Sequence, residues 1–195
     1  MSEVPVFYAT TEGQTRRIAE ALAVALRDLG VDSEPVNVAT SAAADYRWDR
    51  ARAVVVAASL HAGTHQRTAE AFVRRSLVEL NARPSLFISV SLSICSAIPT
   101  EVEAARAIAR QFPDHLGWTA TRVACVGGRL AYTQYGFLTR YIMRRIAAKS
   151  GGPTDTSRDY EMTDWTQVRN LARDLAAQLA NQAPFASRAA APVPA

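Results

Sequence analysis

One stretch near the start constrains this chain most. Val6, Phe7, Tyr8 and Ala9 form an apolar run that stops at Thr10, Thr11, Glu12, Gly13, Gln14 and Thr15, and a helical pattern opens directly behind it. The apolar positions of that pattern, Ile18, Leu22, Ala25, Leu26 and Leu29, recur at the spacing of one helix face. A strand that passes through a hydroxyl-rich loop into a helix is a place for an anion. The first N–H groups of a helix have no intrahelical partner, and its start carries partial positive charge. Thr10, Thr11 and Thr15 add hydroxyls, and Gly13, with no Cβ, lets the backbone wrap closely. Arg16 and Arg17 sit in the first turn, where a cation is unfavourable for the helix unless an anion lies nearby. A bound phosphate is the expectation.

The two commonest nucleotide motifs are missing. The only lysine is Lys149, so there is no Gly-x-x-x-x-Gly-Lys-Ser/Thr, and no Gly-x-Gly-x-x-Gly follows the first strand. What matches is a pattern of apolar, apolar, aromatic, any, Thr, two free, small, any, Thr, three free, Ala, two free, aliphatic, filled by Val6, Phe7, Tyr8, Ala9, Thr10, Gly13, Thr15, Ala19 and Leu22. In this the chain resembles the flavodoxins, which hold the phosphate of FMN through hydroxyls and backbone amides. A threonine-rich turn that only caps a helix is the plainer alternative.

The rest of the chain alternates strand-like and helical patterns. Residues 32–38 and 85–90 read as strands, residues 53–58 as a continuous apolar strand covered on both faces, and residues 121–126 as a fifth. Gly30 stops the first helix; a helical pattern runs through Ala69, Phe72, Val73, Leu77 and Leu80; and Pro99, Thr100 and Glu101 open another, with Thr100 as its cap. Strands alternating with helices predict a parallel sheet with right-handed crossovers and a ligand outside the carboxyl ends of its strands. The flavodoxin resemblance implies a doubly wound five-stranded sheet of order 2-1-3-4-5 with helices on both faces. It also assigns the loops holding Ser59, Leu60, His61 and Gly63, and Ser91, Leu92 and Ser93, to the ribityl chain and ring of FMN. Neither loop holds an aromatic residue. His61 and His65 offer two metal ligands, but Gly63 between them and the lack of a close carboxylate argue against a metal site.

At 195 residues and 49% hydrophobic the chain is long enough for one well-buried domain, read as residues 1–182, and residues 183–195 read as a disordered Ala/Pro tail. Cys95 and Cys125 read as separate free thiols, the second in the core, which suits a reducing compartment. The chain opens with Glu3 and a strand rather than a signal-peptide pattern, and no apolar run approaches the roughly 20 residues of a membrane helix, so a soluble or peripheral protein is expected. The net charge of +4 is concentrated in one region. Between Asp114 and Asp155 there is no acidic residue, while Arg122, Arg129, Arg140, Arg144, Arg145 and Lys149 all lie inside. Such a patch attracts anions of several kinds, and charge alone does not choose among them.

That region also holds an aromatic, basic insertion after the fifth strand, about residues 129–156, with Leu138, Ile142, Met143 and Ile146 as one helical stripe. On periodicity the plainer reading is a helix packed on the domain. The segment Ser150-Gly151-Gly152-Pro153-Thr154-Asp155-Thr156, followed by Thr163-Asp164-Trp165-Thr166-Gln167-Val168, closely resembles the C-terminal half of the menaquinone-dependent protoporphyrinogen IX dehydrogenases, a flavodoxin-like family. Asp164 and Gln167 also read as a capping box for the last helix. The resemblance implies FMN as cofactor and oxidation of protoporphyrinogen IX in haem biosynthesis. It implies a membrane quinone, menaquinone or ubiquinone, as acceptor, and a place on the inner face of a bacterial cytoplasmic membrane. It makes Arg129, Tyr132, Tyr135, Arg140, Arg144 and Arg145 the substrate or membrane contacts. An anionic membrane surface is an expected partner, nucleic acid is not, and no residue stands out as a general base. Two other readings stay open: a flavodoxin-type electron carrier or another FMN-dependent quinone reductase, and a degenerate fold used as an interaction module. Carriers of that type are usually acidic, and this chain is basic.

Overall fold

The first strand, β1 (Val4–Ala9), is buried along its whole length, and its side chains alternate between two cores. In the computed structural model, which describes residues 3–181, it is followed by α1 (Gln14–Asp28), β2 (Ser33–Asn37), the short α2 (Ser41–Ala44), β3 (Val54–His61), β4 (Thr64–His65), α3 (Arg67–Arg75) and α4 (Leu77–Asn81). Then come β5 (Ser85–Ser91), α5 (Pro99–His115), β6 (Arg122–Gly127), β7 (Arg129–Leu130), α6 (Phe137–Lys149), β8 (Tyr160–Glu161) and α7 (Trp165–Ala180). The expected tail, 183–195, lies outside the described residues, as do residues 1, 2 and 182.

Five strands pair in parallel in the order β2-β1-β3-β5-β6. This is the expected 2-1-3-4-5 arrangement, because β4 is a two-residue strand that folds back antiparallel on β3. Val4, Val6, Tyr8, Val55, Ala57 and Ile88 face α1 and α7, packing on Ile18, Leu22, Leu26, Val168, Leu171, Leu175 and Leu179. Phe7, Val54, Val56 and Phe87 face the other way, onto Phe72, Leu80 and Trp118. Each such side chain stabilises the fold by about 1.5–3 kcal/mol through burial. With helices on both faces, every strand-to-helix loop opens at the carboxyl edge of the sheet.

Several local expectations need correction. The helical pattern of residues 69–80 breaks at Ser76 into α3 and α4. Thr100 is not the cap of α5: the helix starts at Pro99, and Ser96 accepts from the Ile98 N–H (3.1 Å) and donates to Glu101 (2.7 Å). The capping box is half formed. Asp164 accepts from the N–H groups of Thr166 and Gln167, while the Gln167 amide reaches the Cys125 carbonyl at 3.0 Å. Cys125 is half-buried at the sheet edge rather than in the core. Gly30 does end α1, at φ +80, with its N–H on the Arg27 carbonyl.

The insertion is not packed as the helical stripe suggested. A third small core gathers Leu130, Ala131, Tyr132, Tyr135 and Ala147. Ala147 is the only buried residue of α6; Phe137 (89% exposed), Leu138 (69%), Tyr141 and Ile142 face outward, and Ile146 is half-exposed.

Candidate functional site

The loop between β1 and α1 is arranged around its helix start. Gly13 caps α1 at φ +85, and no side chain caps the helix or places an acid in its first turn. The Thr10 hydroxyl accepts from the Gly13 N–H at 2.9 Å and fixes the loop. Thr15 is 1% exposed and its hydroxyl has no partner. A buried polar atom without a partner is costly, and beside an uncapped helix start it fits a phosphate oxygen. The other loop side chains turn to neighbouring segments. Thr11 accepts from Gln66, Glu12 accepts from the Tyr135 hydroxyl at 3.0 Å, and the Gln14 amide donates to Glu161 and Thr163, both at 2.8 Å.

The second loop is a hairpin. Ala62 (φ 48) and Gly63 (φ 80) both take left-handed backbone between β3 and β4, as a tight turn of this hand requires. Gln66 ties this hairpin to the phosphate-type loop: its carbonyl accepts from the Ser59 N–H at 3.0 Å, and its amide donates to the hydroxyls of Ser59 and Thr11. The His61 ring reaches Ser59 at 3.1 Å. His65 turns inward, bonded to Ser89 at 2.9 Å and packed on Phe87 and Phe112, and burial pushes its pKa down to about 4. In the third loop the Ser91 carbonyl accepts from the Gly128 N–H, and Ser93 opens a single helical turn.

These loops meet in a mostly apolar cleft of about 340 Å³. Thr10, Glu12, Gln14 and Thr15 of the first loop, Ser59, Leu60, His61 and Gly63 of the second, and Ser91, Leu92 and Ser93 of the third all line it. The insertion adds Leu130, Tyr135, Met143, Ile146, Ala147 and Pro153 to the lining, so the aromatic side chain absent from both loops comes from Tyr135. Thr11 and Gly13 lie outside the lining. The expected basic contacts separate. Arg129 lines the cleft but is paired with Asp159, and Arg140 donates to the carbonyls of Tyr132 (2.9 Å) and Tyr135 (3.0 Å). Tyr132 is buried and donates to the Pro153 carbonyl. Arg145 rests on Tyr141, and Arg144 has no hydrogen bond or ion pair among the described residues, so these two remain for an outside anion.

Residues 5–157 match the Flavodoxin domain family. The Streptococcus pneumonia TIGR4 flavodoxin superposes at TM-score 0.54 with 19% identity, over 90% of this chain and 98% of that one, which shows a shared fold. Protoporphyrinogen IX dehydrogenase [quinone] of Escherichia coli (strain K12) is 33% identical over 171 residues, 88% of this chain and 93% of the relative. The chain belongs to the protoporphyrinogen IX dehydrogenase family. A member from Leishmania major is 30% identical over 88% of this chain and 74% of its own length. The aligned length of 171 residues exceeds the flavodoxin-domain match over residues 5–157, which itself includes the insertion.

Sequence reasoning missed three features in or near this cleft. Gln66 lies past the second loop, and only the hairpin turn brings its amide back to Thr11. Met143 and Ile146 were legible as a helical stripe but not as the wall of the site. Gly127 and Gly128 read only as the close of the fifth strand, yet a Cβ at Gly127 would lie 2.1 Å from the Met162 carbonyl oxygen, so the strand end and the segment before α7 meet backbone to backbone.

Proposed function

We propose that the chain is an FMN-dependent dehydrogenase that oxidises protoporphyrinogen IX to protoporphyrin IX in haem biosynthesis and delivers the electrons to a membrane quinone, menaquinone or ubiquinone. The observation that carries this reading is the junction of two features in one cleft. The unpartnered Thr15 hydroxyl stands at an uncapped helix start, and residues of the insertion line the same cleft in a chain 33% identical to a protoporphyrinogen IX dehydrogenase. FMN, when bound, takes up electrons in pairs, so the six-electron oxidation proceeds in three passes.

The residues divide the work. Thr10, Thr15 and the N–H groups of Thr11, Glu12, Gln14 and Thr15 hold the phosphate, with Gly13 keeping the approach open. Ser59, Leu60, His61, Gly63, Ser91, Leu92 and Ser93 flank the rest of the cofactor, and Glu12 and Gln14 anchor the loop to the insertion and to β8. Tyr135 closes the cleft. Residues 1–182 act as one flavin-binding unit that carries the 129–156 insertion.

The same reading places the protein on the inner face of a bacterial cytoplasmic membrane. No described helix is long and apolar enough to cross one. Phe137, Leu138, Tyr141 and Ile142 give α6 an exposed apolar face, flanked by Arg144, Arg145 and Lys149 and by no acid between Asp114 and Asp155. Anionic headgroups suit those cations, and the apolar face suits the acyl boundary.

The test is anaerobic. Protein, FMN, protoporphyrinogen IX and a menaquinone analogue together should produce porphyrin fluorescence, and omission of any one should abolish it. Tight FMN binding with no porphyrin would sink the dehydrogenase reading in favour of an electron carrier.

A further inference from the structure

We infer that α6 is a hinged cover on the cleft, released when its outer face docks on an anionic phospholipid bilayer. This rests on the reading above, which requires FMN and a tetrapyrrole to meet at one site. The cleft of about 340 Å³ sits at the low end of the range for a single small-molecule ligand. With α6 in place its walls enclose space on the scale of one such ligand rather than two.

The helix is built to move. Of its 13 residues only Ala147 is buried, and its contribution to the cleft is Met143, Ile146 and Ala147. It is held mainly at its two ends. Arg140 donates to the carbonyls of Tyr132 and Tyr135 at one end. At the other, the Ser150 carbonyl accepts from the Ala97 N–H at 3.0 Å, and the Ser150 hydroxyl donates to Glu101 at 2.8 Å. Gly136 precedes the helix, where a Cβ would meet nothing within 4 Å, and Gly151, at φ +72, follows it. Hinges are short segments of this kind at the ends of an element.

Charge selects the bilayer as occupant. Phe137 and Leu138 lead the exposed face, and the stretch from His115 to Thr154 holds no acid, so a second copy meets like charge while an anionic surface meets opposite charge.

Amide hydrogen exchange on the FMN-loaded full-length protein tests this without porphyrinogen or quinone, so its failure is distinct from failure of the dehydrogenase reading. With phosphatidylglycerol vesicles, and co-sedimentation read on the same sample, exchange in residues 92–97 should rise about tenfold while residues 137–142 become protected. Phosphatidylcholine vesicles should change neither, and Phe137→Ser with Leu138→Ser should abolish both effects. Bound protein with 92–97 unchanged would overturn the cover. Absence of binding, or protection of 137–142 by protein concentration alone, would overturn the bilayer as its trigger, the latter in favour of a second copy.

Discussion

The Tyr135 hydroxyl donates to the Glu12 carboxylate at 3.0 Å and accepts from the Ala131 N–H at 3.3 Å, joining the insertion to a loop 123 residues earlier in the chain. Burial first, and then the Glu12 charge, push the Tyr135 pKa up to about 12. A folded pKa above the ordinary 10 means that the stability it contributes is complete below pH 10 and is lost as the pH rises from 10 towards 12. Tyr135→Phe should cost about 1 kcal/mol at pH 8, the worth of an ordinary hydrogen bond. It should also flatten the alkaline decline, measured as urea midpoints at pH 8, 10 and 11. A decline as steep as that of the native protein would show that Tyr135 does not carry it.

His65 acts at the other end of the scale. Its folded pKa of about 4 lies below the ordinary 6.5, so its contribution is present above pH 6.5 and lost as the pH falls towards 4. That loss reaches at most about 3 kcal/mol. His65→Gln removes the titration and keeps a hydrogen-bonding group for Ser89, so the variant should lose less stability than the native protein between pH 6.5 and 4 in thermal melts. Parallel curves would contradict this.

Thr15→Val separates binding from folding. The hydroxyl has no partner in the protein, so the cofactor-free variant should melt no lower than the native chain. If the same hydroxyl holds phosphate, the FMN dissociation constant should rise about tenfold or more, as for a lost hydrogen bond to a charged group. Fluorescence titration reads the second effect and calorimetry the first; a lower melt with unchanged affinity would reverse the assignment.

Gly127 and Gly128 form a matched pair. A Cβ at Gly127 meets the Met162 carbonyl at 2.1 Å and the Cys95 sulfur at 2.7 Å, whereas one at Gly128 meets nothing closer than 3.7 Å. Gly127→Ala should destabilise by about 1–3 kcal/mol as backbone shifts to relieve the clash, and Gly128→Ala by under about 0.5 kcal/mol. Equal effects in denaturant unfolding would refute the close approach.

The contrast between these neighbours shows where sequence reading stops. A buried parallel strand was legible because Val54, Val55, Val56 and their flanking alanines suit a strand covered on both faces, the sheet order came only with the flavodoxin resemblance, and the phosphate-type loop was legible because Thr10, Gly13 and Thr15 sit at a strand-to-helix junction. Tertiary pairing left no comparable trace. Gln14 reads as a loop ligand, yet its amide pins Glu161 and Thr163, and Arg129 reads as a free cation, yet it pairs with Asp159. The partner in each case lies tens of residues away or more, and no local period encodes it. The α6 stripe was visible, but period alone could not say that most of it faces outward.

The most direct measurement of the central claim is the ratio of products in the anaerobic reaction. With FMN-loaded protein and excess menaquinone analogue, three quinols should form for each protoporphyrin IX, because six electrons leave the macrocycle in pairs. Quinol formation without porphyrin, or porphyrin formed at the same rate when quinone is withheld, would contradict the account.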